Sequence, residues 1–478
     1  MFSTFRRLIF IVANSAVCFL SADLINQTPT TTVILPNSLL PFTVSVEEAD
    51  FSLPSGLHSF AYAVYNGKWL FICGRTNGIH TFDPDNNFPA LDQNTVIYLV
   101  DPVTKTTISR SLAAPTAGLT QAQIDTLSVT SPQFYTSGST LYITGGYGID
   151  TITGAFTTKD TLTAINLPGL MHWMIEPVFG ETAADYIRQI HHSIFQVAGG
   201  YMNQFPGHAT LLVMGQNFAG FYTDGSNGIY SEKIRRFNII DDGVNLSVNV
   251  RSSIPKLHET SLRRRDLNVV PILFHKSGRY RTELIAFSGV FTPLGGIWTV
   301  PVVIAADGKT KVKDPAFHHN AFKQGMNNYI CPTAGLYSKA THNMYSLFFG
   351  GLSYGYFVGR NFITDAEIPF INQITTIQYD KHGHFSQYLM EAEYPVILST
   401  GSNPGNPLLF GANAVFIPSA EVLKYGKEVL NYDSLVGPTV IGHIVGGIQS
   451  TLPNTNVASD STASAHIFIV TLTPTAVP

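Results

Sequence analysis

Short apolar runs recur along this chain, each closed by a pair of small or compact residues and followed by a polar loop. The six copies end at residues 69–74 (Trp-Leu-Phe-Ile-Cys-Gly), 141–146 (Leu-Tyr-Ile-Thr-Gly-Gly), 211–215 (Leu-Leu-Val-Met-Gly), 284–289 (Leu-Ile-Ala-Phe-Ser-Gly), 346–351 (Ser-Leu-Phe-Phe-Gly-Gly) and 440–447 (Val-Ile-Gly-His-Ile-Val-Gly-Gly). Their closing glycines lie 72, 69, 74, 62 and 96 residues apart. Residues 61–74 align without a gap on 133–146: an apolar run, a turn at Asn66-Gly67 or Ser137-Gly138, then a second apolar run. That is the signature of a β-hairpin. A second unit follows several of these hairpins, at 96–105, 234–243, 298–308 and 374–383. It is an apolar strand, a turn and a more polar strand, and its Asp-Gly and His-Gly turns supply positive backbone angles. Two hairpins per repeat make four strands, as in one propeller blade with long loops.

The last copy lacks its fourth strand, because its third, at 466–473, is followed by only five residues. Residues 42–50 precede the first full hairpin and resemble the fourth-strand segment at 246–251. The expected fold is therefore all-β, a six-bladed propeller over 33–478 whose sixth blade is closed by an N-terminal strand, which hides the sheet edge between the chain ends. Two stretches depart from the repeat. Residues 419–429 interrupt the sixth hairpin as a short helix or an extended loop; residues 182–190 read either as helix or as the outer strand of blade two.

Hairpins ending in Gly-Gly resemble kelch repeats. More closely, the chain resembles a group of exported bacterial kelch-like proteins, through residues 55–60, 67–80, 234–237, 241–243, 264–271 and 437–447. The resemblance covers most of the chain after residue 22 and implies a scaffold for binding. It departs from the kelch pattern at Cys73, Met214 and Ser288, where the first glycine is replaced, and in the near absence of the Tyr and Trp that follow the glycines in kelch repeats.

Composition narrows the function classes. Only 13% of residues are charged and the net charge is −4, which argues against a nucleic-acid ligand, since phosphate backbones call for clustered Lys and Arg. Arg6 and Arg7, an apolar stretch at 8–20 and Ser21-Ala22 read as a signal peptide over 1–22. The competing reading is a signal anchor, but the run is shorter than the roughly 20 residues of a membrane span. A linker at 23–32 follows. The expected location is periplasmic or extracellular, with no stable membrane span after cleavage. Cys73 and Cys331 fall in distant repeats, so free buried thiols are expected although export permits a disulfide.

The repeat order puts the loops entering each inner strand and those leaving each second strand on one face. That face collects His58, His192, Arg265, Asp266 and His319 from entering loops, and Arg75, Asn77 and Gln216 from leaving loops; Gln133 and Asn268 sit near inner-strand starts. These are the candidate ligand-binding residues. Each has a plainer role: Arg75 as a brace on backbone carbonyls, Arg264, Arg265 and Asp266 as an internal ion pair, the His191-His192 and His318-His319 pairs as solvated loop residues. No catalytic motif, phosphate loop or metal-spaced Cys/His cluster is present, and no metal or cofactor is expected. The sequence favours a monomeric binding or interaction module for a glycan or protein ligand. The alternative is a carbohydrate-active propeller enzyme similar to kelch-fold sialic acid mutarotases, with acid and base among Arg75, Asp266, Glu259 and the loop histidines.

Overall fold

A computed structural model describes residues 33–81, 87–223, 226, 228–276, 279–422 and 428–475. The expected signal peptide and linker lie outside these residues. The chain is predominantly β-structure, and its main strands form six four-stranded antiparallel arrays, the first five in chain order. The first pairs Ala61–Tyr65, Lys68–Ile72, Val96–Asp101 and Thr106–Ser111. The second uses Gln133–Ser137, Thr140–Thr144, Thr161–Asn166 and Ile187–His191. The third uses Tyr201–Gln204, Thr210–Val213, Ile234–Asp241 and Leu246–Ile254. Asn268–Lys276, Arg279–Phe287, Val302–Ala305 and Thr310–Val312 make the fourth. Thr333–Ser338, Asn343–Leu352, Phe370–Tyr379 and Phe385–Glu393 make the fifth. The sixth takes Val415–Pro418, Thr439–Val445 and Ile467–Pro474, and its outer strand is the N-terminal Phe42–Glu48, with Val46 opposite Val470.

The small-residue pairs have a common geometry. In all six copies both members lie in the left-handed region: φ is 67° and 94° at Cys73-Gly74, 60° and 82° at Gly145-Gly146, and 55° and 81° at Met214-Gly215. The others match, with 53° and 97° at Ser288-Gly289, 61° and 86° at Gly350-Gly351, and 68° and 95° at Gly446-Gly447. A single left-handed position costs an L-residue roughly 1–2 kcal/mol, which Cys73, Met214 and Ser288 bear at the first site. The second is closed by space as well. A Cβ there would stand 2.5 Å from the His58 carbonyl oxygen at Gly74 and 2.6 Å from the Ala414 Cβ at Gly447. The turn aims the second amide into the next sheet: Gly74 donates to the Val129 carbonyl, Gly146 to Val197, Gly215 to Arg264 and Gly447 to Leu57, each at 2.8 Å.

Apolar residues fill the space between every consecutive pair of sheets. Leu70 and Ile72 pack with Leu141 and Ile143, Tyr142 and Leu162 with Leu212 and Phe237, and Leu211 and Val213 with Leu284 and Ala286. Ile285 and Phe287 meet Phe348 and Ile377, and Leu347 and Phe349 meet Phe416 and Phe468. The sixth sheet then meets the first through Ile417, Val445 and Ile467 against Trp69 and Phe71. The face-to-face packing thus passes from sheet to sheet and returns to its start.

Short two- and three-stranded ladders and the edge strand Ile34–Pro36, parallel to Phe385–Glu393, lie outside the four-strand pattern, and three further segments sit between or beside its strands. Leu167–Ile175 is an unexpected helix between the third and fourth strands of sheet two, started by Asn166, whose Oδ1 accepts the Gly169 amide at 2.9 Å. It buries Leu170, Met171, Trp173 and Met174, so it is apolar nearly all round and shows no helical polar stripe to read. Residues 182–190 resolve into a short turn, Ala183–Tyr186, and the outer strand Ile187–His191. In the sixth hairpin's interruption, Ala420–Val422 forms a 3-10 turn and Val429–Asn431 adds in parallel to the first strand of sheet five. Residues 423–427 lie outside the described ones. Both Cys73 and Cys331 are buried free thiols. Among the described residues no helix is long and apolar enough to cross a membrane.

Candidate functional site

Six left-handed residues precede the six first strands: Ser59, Ser131, Gly199, Asp266, Ile330 and Asn413, with φ between 48° and 64°. Their backbones hydrogen-bond to one another in sequence. Ser131 donates to the Ser59 carbonyl at 3.0 Å, Gly199 to Ser131 at 3.1 Å, Asp266 to Gly199 at 2.7 Å, Asn413 to Ile330 at 2.7 Å and Ser59 to Asn413 at 3.3 Å. The residue before each forms a bridge with the residue after the small-residue pair of its own sheet. The partners are His58 with Arg75, Thr130 with Tyr147, Ala198 with Gln216, Arg265 with Val290, Tyr329 with Leu352, and Ala412 with Ile448. Backbone pairing alone therefore fixes twelve positions around one centre, and the sequence decides their chemistry.

Above this centre is a cavity of about 430 Å³ with lining from all six sheets, within the range of small-molecule sites. One wall is apolar and mostly aliphatic, with Leu352, Phe370, Ile448, Ile79 and Ile368. Another wall is a run of rings between two arginines. Arg75 lies 5.1 Å from the Phe88 ring centre, Phe88 stacks on His80 at 5.2 Å, and His80 meets Tyr222 edge-on at 4.8 Å. The Tyr222 hydroxyl accepts from Arg265 Nη2 at 2.7 Å.

The two lining arginines differ. Arg265 forms an ion pair with its neighbour Asp266 and donates through Nε to the Tyr230 hydroxyl at 3.3 Å. Burial works against its charge, but Asp266 and the tyrosine oxygens more than offset this and hold its pKa above the ordinary value. Arg75 is only 2% exposed. Its Nε donates to Asn77 Oδ1 at 3.0 Å and its Nη2 to the Pro89 carbonyl at 2.9 Å, both neutral acceptors. Desolvation pulls its pKa down to about 10, against the opposing pull of Asp92. Burial, reinforced by Arg75, pushes His58 down to about 3. Burial likewise brings His80 to about 4, so both imidazoles are neutral at ordinary pH.

Of the residues singled out from sequence, His58, Arg75, Gln216, Arg265 and Asp266 line the cavity together. Asn77 stands behind Arg75 as its hydrogen-bond partner and bridges to Thr462. Gln133 is buried under the Ser131 turn, donating to its carbonyl at 2.7 Å. Asn268 ties sheets four and five, its Oδ1 accepting the Cys331 amide at 3.1 Å. His192 and His319 are exposed and line no part of this cavity. His192 Nδ1 accepts the Ile194 amide at 3.0 Å, starting a 3-10 turn, which accounts for it locally. Glu259 accepts from the Ser261 hydroxyl at 2.6 Å, away from the cavity lining. Arg264 is wholly buried, donating to the carbonyls of Ser261, Ser288 and Val300 at 2.9, 3.0 and 2.8 Å, and is a backbone brace.

Sequence reasoning missed His80, Phe88, Tyr222, Phe291 and Tyr329. Tyr329 shares the register of His58 and Arg265 and was findable from the repeat; the others come from long loops with no counterpart in other copies. Among the described residues no group of three or more His, Cys, Asp or Glu is placed to hold a metal ion. No family model matches the chain, and no curated protein matches it either.

Proposed function

We propose that this chain is an exported, monomeric six-bladed kelch-like propeller that binds a glycan at the centre of one face. The fold reading is supported by six four-stranded arrays packed in cyclic order and by the antiparallel pairing of the N-terminal strand with the C-terminal one. The signal-like N-terminus motivates export. The observation that carries the binding reading is the cavity itself, small, lined from six sheets, and walled on one side by aromatic rings set between Arg75 and Arg265. Sugar rings suit such a wall, since their C–H faces pack on aromatic rings while hydroxyls take hydrogen bonds from the polar groups between them. A protein ligand fits less well, because protein interfaces are broad and this site is a small concave hollow.

A mutarotase-like enzyme is the second reading, favoured by the convergence of Arg75, Arg265, Asp266, His58 and His80. Binding is preferred because a general base works best with a pKa near the operating pH, and the two imidazoles sit at about 3 and 4. A glycan array probed with the wild type and with Arg75→Ala tests both ligand class and site. A defined set of glycans retained by the wild type and lost by the variant is expected. No glycan signal, or an unchanged profile in the variant, overturns the reading.

A further inference from the structure

Among the described residues, Arg75 carries a charge that no carboxylate pairs. It is 2% exposed, lines the cavity, and gives two of its donor groups to neutral oxygens. Among the described residues no carboxylate lies within ion-pair distance of it, whereas Arg265 has Asp266. Asp92 acts on Arg75 only through its field. The terminal nitrogen Nη1 makes no hydrogen bond among the described residues. A buried cation without a counter-ion is costly, and protein interiors pair such charges or supply a ligand that does. The neighbouring imidazoles are neutral and cannot supply the anion. Among the described residues, the other carboxylates lining the cavity are Asp266, committed to Arg265, and Glu367, exposed at the rim.

Resting on the glycan reading above, we infer that the ligand is an acidic sugar whose carboxylate pairs with Arg75, its ring lying against Phe88, Tyr147 and Tyr222. The Arg265–Asp266 pair presents a donor and an acceptor side by side and serves the sugar's hydroxyls. Tyr147 belongs to the same wall, 5.4 Å from Phe88, its hydroxyl committed to the Gly220 carbonyl at 2.6 Å and its ring packed with Phe156 and Phe218, which holds the wall in place. A charge-assisted hydrogen bond contributes about 1.5–3 kcal/mol, which corresponds to about ten-fold to a hundred-fold in affinity.

Isothermal titration of the wild type with D-glucuronate, D-glucuronamide and D-glucose separates charge from shape, as the first two share size and differ in charge. Glucuronate is expected to bind about ten-fold or more tighter than either neutral sugar. Arg75→Gln should remove that preference and Arg75→Lys should keep part of it, each checked for native circular dichroism. If the neutral sugars bind the wild type as tightly as glucuronate, the carboxylate assignment is overturned while the glycan reading stands. If none of the three binds and the array is also blank, the glycan reading itself falls, and this inference with it. The wild-type comparison decides the matter even if the Arg75 variants fail to fold.

Discussion

Truncating Phe42 tests whether the N-terminal strand holds the chain ends together. Phe42 is fully buried, its ring edge-on to Tyr345 at 5.3 Å and tilted against Tyr432 at 5.9 Å. Its backbone pairs with Pro474, at the far end of the sequence. One side chain therefore joins the N-terminal strand, the C-terminal strand, sheet five and the insertion after Pro418. Phe42→Ala removes the ring and leaves a void that these rigid neighbours close poorly, a loss of about 3–5 kcal/mol. For 478 residues, an unfolding entropy of about 2.1 cal/mol/K per residue makes that roughly 3–5 °C in Tm. Thr43→Ala, one residue on and facing solvent, is the internal control and should stay within about 0.5 kcal/mol of wild type.

The assay is urea unfolding followed by tryptophan fluorescence, since Trp69 is buried between the sixth and first sheets and reports on that junction. If the strand closes the structure, Phe42→Ala lowers the urea midpoint and Thr43→Ala does not. A Phe42→Ala midpoint within error of wild type would mean that the terminal strand is dispensable and the closure argument wrong. Equal losses from both substitutions would mean that the strand's backbone matters but its inward face does not, which also contradicts the packing described here.

Gly447→Ala should cost about 2–5 kcal/mol, the sum of left-handed strain and overpacking, because its new methyl would meet the Ala414 Cβ at 2.6 Å. Gly67→Ala, with φ at 75° but nothing within 4 Å, should cost about 1 kcal/mol, and urea midpoints of the two variants measure the contrast. Arg264→Gln strands carbonyls of Ser261, Ser288 and Val300 that the guanidinium now satisfies; the expected loss is about 3 kcal/mol or more, read from the same unfolding curves. For His58, the folded pKa of about 3 lies below the ordinary value of 6.5. The unfolded chain takes up the proton first, so this contribution to stability is complete above pH 6.5 and declines as pH falls toward 3. It amounts to about 2 kcal/mol lost by pH 5. His58→Gln should flatten that part of the stability-against-pH profile, and an unchanged slope would refute the assignment.

The strands were legible because sheets buried on both faces demand apolar runs, and the small-residue pairs because two consecutive left-handed positions, the second crowded by neighbouring atoms, leave glycine few substitutes. The same logic explains which site residues could be found. His58, Arg75, Gln216, Arg265 and Asp266 are held by bridges repeated in every sheet, so their spacing from the glycine pair locates them. His80, Phe88 and Tyr222 reach the cavity from loops whose lengths differ between copies, and no periodicity constrains where such loops fold. His192 and His319 illustrate the converse error, because an entering loop long enough to carry a local turn of its own no longer delivers its side chains to the centre. The helix Leu167–Ile175 was hidden because its exposed face carries Pro168, His172 and Ile175, only one of them polar, so no polar stripe distinguishes it from a strand. Sequence thus reports the positions that repetition enforces. What differs between copies, the aromatic and basic loops above the repeated frame, is where ligand choice is made, and for that reason the unanswered charge of Arg75 becomes visible only once the loops are folded around it.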